Sequence, residues 1–307
     1  MPLSAVLCLC PLVLVLPVIG QIPSVPLPAP VRVSTEVVNV LAIVRDPSEH
    51  LVPNLTRDDF EITEDNVPQQ IRYYSREADT PLRLGILIDT SPSQKRLLPV
   101  EKREAQRFIR EVMRSGDLAF VLHFDRKAEL IQDLTGDNQR VSHAIDSIVR
   151  TARSTHLYDA VGAASDLMKH VNGRKVLVLF TDGYDTFSHT SLSSALHAAQ
   201  ESDVVIYSIG FSGPMSYVLP WYALRADRTL RKLSDGTGGR VIRVNRRLDI
   251  DMTSALRVVA EELRTQYLLG YSPSNKRHDG SFRRIDVRTR NGDYKVQARR
   301  GYYAPSE

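Results

Sequence analysis

The chain has 307 residues, of which 42% are hydrophobic and 25% charged, proportions typical of a folded globular protein rather than a disordered one. Its formal net charge is only +4. An excess this small does not support nucleic acid or an anionic membrane surface as a partner, and we expect no nucleic-acid binding.

The first 20 residues, MPLSAVLCLCPLVLVLPVIG, are almost wholly apolar and carry no charged side chain. This pattern is typical of a secretory signal peptide, so we predict an exported protein of the periplasm, the cell envelope or the medium. Prolines within the run and the lack of Lys or Arg before it leave an uncleaved membrane anchor as the alternative, and only then would the chain contact a membrane. Both cysteines, Cys8 and Cys10, lie in this segment, so the mature chain would contain no disulfide.

A proline-rich stretch at residues 21–30, QIPSVPLPAP, indicates an extended tether. Residues 31–80 then read as β-structure: VRVSTEV alternates, VVNVLAIV is rich in β-branched residues, and FEITEDNVPQQIRYYS carries a polar break suited to a hairpin.

Residues 81–266 have a different pattern of apolar residues. Short apolar runs (LGILI, LAFVLHF, KVLVLF and VVIYSIG) are typical of parallel strands that are buried on both faces. Between them, apolar residues recur at helical spacing, as in Ala105, Phe108, Ile109 and Val112. This alternation predicts an α/β fold with a doubly wound, mostly parallel sheet.

Residues 267–307 return to strands, with RIDVRT and YKVQARR joined through Asn291-Gly292, a dipeptide suited to a tight hairpin turn. Residues 31–80 contain five Arg against ten acidic residues, whereas residues 267–307 contain nine basic residues against four acidic ones. We therefore predict that the two ends pair into one β domain with the α/β unit inserted between them. Two independent flaps on the α/β unit are the alternative, because charge complementarity guides association more than it specifies contacts.

Oxygen-bearing side chains collect where the predicted strands end. The stretch ILIDTSPS places Asp89, Ser91 and Ser93 after one strand, Asp182 follows another, and Thr155 precedes a predicted helix. In an open parallel sheet, such loops meet at one edge. Singly, these residues are also typical of turns and helix caps, but two carboxylates and three hydroxyls together are the ligands of a hard divalent cation.

These five positions resemble the metal-ion-dependent adhesion site of the von Willebrand factor A (VWFA) domain, whose motif is Asp-x-Ser-x-Ser followed by a distal Thr and a distal Asp. The flanking stretches LTRDDFEITEDNVPQQI, ELRTQYLLGYSPS and RRGYYAP are similar to the VWFA-related family described mainly from acidobacteria.

The resemblance implies that Asp89, Ser91, Ser93, Thr155 and Asp182 hold Mg²⁺, with Mn²⁺ or Ca²⁺ as alternatives. In the family, the two Ser hydroxyls bind the metal directly, the Thr binds it directly or through water according to state, and the two Asp bind mostly through water. This leaves the ion able to accept a Glu or Asp carboxylate from a protein partner. Pro92 departs from the pattern, because it removes a backbone N–H from the metal loop.

The sequence thus predicts an exported, non-enzymatic binding or adhesion protein that captures an acidic group. A metal-assisted envelope hydrolase is one alternative, with His156 as the best placed of the general-base candidates His123, His156 and His189. A structural scaffold, in which the cation only ties loops together, is the other. The charged helix that contains Glu101, Glu104 and Glu111 is interpreted as a solvated face.

Overall fold

A computed structural model describes residues 37–76, 80–149, 154–211, 220–244 and 251–306. In chain order, the strands are β1 (Val38–Arg45), β2 (Phe60–Glu64), β3 (Val67–Gln69), β4 (Ile71–Arg76), β5 (Leu82–Asp89), β6 (Leu118–Phe124), β7 (Ala128–Thr135), β8 (Arg174–Thr181), β9 (Val204–Phe211), β10 (Val241–Val244), β11 (Tyr267–Tyr271), β12 (Phe282–Thr289), β13 (Lys295–Ala298) and β14 (Gly301–Tyr303). The α-helices are α1 (Leu98–Val112), α2 (Asn138–Ser147), α3 (Leu157–Met168), α4 (Leu192–Glu201), α5 (Pro220–Thr237) and α6 (Met252–Thr265).

The largest sheet has the strand order β10-β9-β8-β5-β6-β7, and its strands are parallel except for β7, which runs antiparallel to β6. Every residue of β8 and of β9 is buried. A strand covered on both faces must be apolar throughout, which explains why these segments read as continuous hydrophobic runs.

Helices cover this sheet on both faces because alternate strand residues point to opposite sides. From β5, Ile86 and Ile88 pack in one apolar cluster with α1, α2 and α6. Leu87 packs in a second cluster with α3, α4 and α5. The apolar spacing predicted for α1 is correct, since Ala105, Phe108, Ile109 and Val112 are all buried.

The sheet has a topological switch point between β5 and β8. From β5 the chain passes through α1 to β6 on one side, whereas β8 lies on the other side and leads through α4 to β9. Connections that leave in opposite directions open a crevice at the carboxyl ends of the two central strands. Asp89 and Thr181 are the last residues of these strands.

Two antiparallel sheets accompany the α/β unit, and both combine strands from the two ends of the chain. Their orders are β13-β1-β11-β4 and β14-β12-β2-β3. β1 pairs with β11 and β13, and β2 pairs with β12. The predicted fold class is therefore confirmed: a doubly wound, mostly parallel α/β sheet with additional β-structure built from the terminal segments.

Of the two predicted hairpin turns, one is correct and one is wrong. β2 and β3 form a hairpin through Asp65 and Asn66, both with positive φ, as a two-residue turn of this type requires. Asn291 and Gly292 do not have positive φ, and they do not join a hairpin. The chain crosses there from one sheet to the other, because β12 pairs with β2 whereas β13 pairs with β1.

The predicted signal peptide of residues 1–20 and the tether of residues 21–30 lie outside the described residues. Within the described ranges, none of the helices combines the length and apolar character that crossing a bilayer requires.

Candidate metal-binding site

The candidate site begins with Asp89, which is fully buried at the end of β5. One carboxylate oxygen, Oδ1, accepts a hydrogen bond from the backbone N–H of Ser91 at 2.9 Å. The other, Oδ2, accepts one from the Thr181 hydroxyl at 2.6 Å. Asp89 is thus held between the loop after β5 and the end of β8.

The two serines of the motif lie side by side, with their hydroxyl oxygens 3.0 Å apart. The backbone between them forms a short 3₁₀ turn over Pro92–Gln94, with Pro92 at the first position. A backbone N–H at that position has no partner within the turn, so proline removes no hydrogen bond from it. Pro92 is therefore compatible with the loop that carries the serines.

Asp182 lies directly after β8 and is almost fully buried. Its Oδ1 accepts a hydrogen bond from the Tyr184 backbone N–H at 3.1 Å, and Ser93 hydrogen bonds to the same side chain. Gly183 between them has φ +84°, which only glycine adopts without strain. Asp182-Gly183 is thus a turn, as one interpretation of the sequence has it, and it also brings Asp182 to the serines.

Thr155 is buried in the neighbouring loop and is not a helix cap. Helix α3 begins at Leu157, whose backbone N–H donates to Asp185 at 2.8 Å. Thr155 is fixed through its backbone, which exchanges hydrogen bonds with the Thr186 side chain at 2.8 and 3.0 Å. The structure therefore brings Asp89, Ser91, Ser93 and Asp182 into one connected group, and it ties Thr155 to that group through the loop after β8.

A third buried acid, Glu101 of α1, lies behind the site. The Gln94 side chain bridges it to the loop after β8: the amide nitrogen donates to Glu101 at 3.1 Å, and the amide oxygen accepts from the Asp182 backbone N–H at 3.1 Å. The second carboxyl oxygen of Glu101 is buried and has no hydrogen-bond partner among the described residues.

The interpretation of α1 as a solvated face is wrong for Glu101 and Glu104, which are 0% and 7% exposed, and holds for Glu111. Glu101 lies four and seven residues before the buried Ala105 and Phe108, so it shares their face of the helix. This spacing is the signal by which the sequence indicates its burial.

Burial raises the pKa of all three carboxyl groups. Burial, and then the negative charge of Asp182, raises the pKa of Asp89 to about 7, although hydrogen bonds from Thr181 and Ser91 oppose the shift. Burial likewise raises the pKa of Asp182, and burial with the charges of Asp89 and Asp182 raises that of Glu101.

The residues present fit a divalent cation. The hydrogen bonds described for the three carboxyl groups come from neutral hydroxyl, amide and backbone groups, so the cluster concentrates negative charge in a buried crevice. Hard cations such as Mg²⁺, Mn²⁺ and Ca²⁺ prefer oxygen ligands of this kind. A cation there would offset the repulsion between the negative charges of these carboxylates.

The three histidines proposed as general bases contact side chains other than those of Asp89 and Asp182. His123 is buried, with its ring nitrogens 3.2 Å from Thr90 Oγ1 and 3.2 Å from Glu129 Oε2. His156 and His189 both contact Asp159.

Residues 84–184 match the family described as the von Willebrand factor type A domain, and the chain has a vWA-like α/β fold. No curated protein matches the chain significantly. Among solved structures, the chain is similar to the conserved hypothetical protein BatB from Bacteroides thetaiotaomicron, with 16% identity, 59% of this chain and 97% of that chain covered, and a TM-score of 0.47.

Two further solved structures are similar to the chain. The vWF domain of the type V pili tip protein Mfa5 from Porphyromonas gingivalis has 12% identity, with 59% of this chain and 94% of that chain covered and a TM-score of 0.47. Proximal thread matrix protein 1 from the mussel byssus, with a zinc-occupied MIDAS motif, has 15% identity, with 62% and 50% covered and a TM-score of 0.49.

Proposed function

We propose that this chain is an exported, non-enzymatic binding protein that holds a divalent cation and uses it to capture an acidic group on a protein partner. Mg²⁺ is the expected ion, with Mn²⁺ and Ca²⁺ as alternatives. The observation that carries the proposal is the group of buried acids and paired serine hydroxyls at the switch point of the sheet, where described hydrogen bonds come from neutral donors.

Asp89, Ser91, Ser93, Thr155 and Asp182 would hold the ion. When bound, the ion supplies a positive charge to which a carboxylate from another protein can bind. The role of the protein residues is to keep that charge accessible. Thr181 and the Ser91 backbone N–H orient Asp89, and the turn at Gly183 orients Asp182, so neither carboxylate is free to swing away.

The metal-assisted hydrolase receives less support from the geometry. It requires a base within reach of the ion, and the best candidate, His156, is directed by its described contact to Asp159 rather than to Asp89 or Asp182. The scaffold alternative also predicts metal binding, but it predicts that no partner protein is captured.

The test begins with metal binding. Calorimetric titration of Mg²⁺, Mn²⁺ and Ca²⁺ into the EDTA-treated, dialysed chain should give one saturable site, and Asp89→Ala should weaken it by at least about 10-fold. Asp58→Ala is the matched control, because Asp58 is an exposed acid in the turn before β2 and its loss should leave the titration unchanged.

Partner capture from an envelope extract of the source organism is the second step. Capture should be lost with EDTA, with Asp89→Ala, and after the extract's carboxyl groups have been converted to amides with a carbodiimide and an excess of glycinamide. Capture that survives all three treatments would overturn the proposal. Metal binding without any recovered partner would favour the scaffold, and metal-dependent turnover of an ester or phosphate panel would favour the hydrolase.

A further inference from the structure

A second group of metal-ligating side chains lies at the start of α3. His156 precedes the helix, Asp159 is in its first turn, and His189 lies in the loop between β8 and α4. One ligand atom from each of the three lies within 4.8 Å of the others. The group combines two imidazoles with one carboxylate, whereas the site around Asp89 offers only oxygens.

The distances are close to those in a metal site. Asp159 Oδ2 is 3.0 Å from His189 Nδ1 and 3.4 Å from His156 Nδ1. Ligands bound about 2.0–2.1 Å from a tetrahedral zinc ion lie roughly 3.3–3.4 Å apart. The two imidazole rings are 5.5 Å apart between centroids, a separation compatible with both rings binding one ion.

Asp159 is already oriented for this role. Its other oxygen, Oδ1, accepts hydrogen bonds from the Thr190 backbone N–H at 2.9 Å and the Thr190 hydroxyl at 2.7 Å. Oδ2 accepts one from the His189 backbone N–H at 2.9 Å and lies beside both imidazoles. Partial burial raises the pKa of Asp159, but hydrogen bonds from His189 and Thr190 more than offset this and lower it well below its usual value.

The site is open on one side. The side chain of His189 is 86% exposed, whereas those of His156 and Asp159 are 11% and 22% exposed. Exposure of one ligand gives an ion an entry path and lets water complete its coordination. The backbone beneath is held by Asp185, which accepts a hydrogen bond from the Leu157 N–H and one from the Ser188 hydroxyl.

We propose that His156, Asp159 and His189 form a second metal site, which binds a transition-metal ion of the zinc class and is distinct from the site around Asp89. Two neutral imidazole nitrogens and one carboxylate suit Zn²⁺, Ni²⁺, Co²⁺ and Cu²⁺ and are poor ligands for Mg²⁺. Because His156 follows Thr155 directly, an ion bound there also fixes the backbone that carries the Thr155 hydroxyl.

The experiment is a calorimetric titration of ZnCl₂ into the untagged full chain in saturating MgCl₂, after Cys8 and Cys10 have been alkylated so that they bind no zinc. One equivalent of Zn²⁺ should bind to the wild-type chain. His189→Ala should weaken this binding by at least about 10-fold, and because His189 is largely exposed the variant should unfold at the wild-type temperature.

Two variants serve as controls. His50→Ala removes an exposed histidine that contacts a single carboxylate, Asp46, at 3.4 Å, and it should leave zinc binding unchanged. Asp89→Ala should also retain the zinc site, since that residue belongs to the other one. With Co²⁺ in place of Zn²⁺, a visible absorption band should appear in the wild-type chain and disappear in His189→Ala.

Three results would overturn the proposal: absence of zinc binding in the presence of Mg²⁺, equal zinc affinity in the wild-type chain and His189→Ala, or loss of zinc binding in Asp89→Ala. The last result would place zinc at the Asp89 site. It would not contradict the proposed function of that site, which the partner-capture experiment tests separately.

Discussion

The buried acids Asp89, Asp182 and Glu101 are the residues on which the proposed chemistry depends, and they differ in how well the sequence reveals them. Asp89 and Asp182 follow apolar runs, so strand-end position alone predicts where they lie. Glu101 is in a charged helix, and its burial depends on which face of α1 packs on the sheet. Which face of α1 is buried follows from tertiary packing, and the local charge pattern does not indicate it.

The hydrogen bonds that Thr181 and Gln94 make at the site depend on tertiary structure. Thr181 donates to Asp89 across two neighbouring parallel strands, a contact between residues 92 positions apart. Gln94 is aligned with Glu101 and Asp182 only after the 3₁₀ turn has formed. These hydrogen bonds to the motif residues follow from strand order and loop geometry. The residue types of the motif itself can be read from the sequence.

The raised pKa of Asp89 predicts how the stability of the metal-free chain depends on pH. Folding raises this pKa from 3.8 to about 7, so the folded state binds the proton more tightly than the unfolded state. The free energy of unfolding should therefore decrease as the pH rises from about 4 to about 7, by up to about 1.4 kcal/mol per pH unit. Thermal unfolding of the EDTA-treated chain at pH 5, 6, 7 and 8 measures this.

Added Mg²⁺ competes with that proton, so its stabilising effect should be small at pH 5 and larger at pH 8. Asp89→Asn is the control: it cannot ionise at this position, and its metal-free unfolding temperature should depend less on pH over the same range. An unfolding temperature that rises with pH in the wild-type chain and equally in Asp89→Asn would contradict the assigned ionisation.

At the scale of elements, the two predicted hairpins show when the turn residues determine which strands pair and when they do not. Asp65-Asn66 connects strands that are neighbours in one sheet, so the turn residues and the pairing agree. Asn291-Gly292 has equally suitable residues, yet β13 pairs with β1. The strands on either side belong to different sheets. The preference of two residues for a tight turn does not outweigh the pairing of whole strands.

Strand β12 alternates strictly between exposed and buried residues, and its inward face includes Arg283. The Arg283 guanidinium is 3.5 Å from the Glu64 carboxylate, with both side chains almost fully buried. The hydroxyls of Tyr271 and Tyr302 donate to the same carboxylate at 2.7 and 3.0 Å. Glu64 is thus the centre of a buried polar network that joins β2, β11, β12 and β14.

Arg283→Ala should lower the free energy of unfolding by about 3–5 kcal/mol, because it leaves the Glu64 carboxylate buried without its charged partner. Arg288→Ala is the matched control: it lies on the same strand but is 77% exposed, and its loss should cost less than about 0.5 kcal/mol. Chemical denaturation of both variants gives the comparison. Similar costs for the two would show that the buried pair contributes no more than an exposed one.

At the scale of the whole molecule, the net charges of the terminal segments indicate their association but not their register. Among the described residues, three ion pairs join the segments: Glu64 with Arg283, Glu61 with Arg290, and Glu49 with Lys295. The last two are exposed and contribute little energy, so the apolar core shared by β1, β2, β11 and β12 stabilises the association. The specific pairing of these strands depends on that core, which forms only when both ends are in place.

Because both ends build the same sheets, the β domain should lose its structure cooperatively rather than end by end. Leu269 in β11 is fully buried and is opposite Val40 of β1 and Tyr74 of β4. Leu269→Ala should cost about 2–5 kcal/mol, and hydrogen exchange should then accelerate together in Val38–Arg45, Ile71–Arg76 and Tyr267–Tyr271. These segments are far apart in sequence, so a common loss of protection reports a single unit.

The amides of β8, in the centre of the α/β sheet, serve as the internal reference, since Leu269 packs in a different apolar cluster from that strand. They should keep their protection in Leu269→Ala, while Leu179→Ala in β8 should have the opposite pattern. If β1 remained protected when β11 became exposed, the two ends would be separate flaps on the α/β unit rather than one domain.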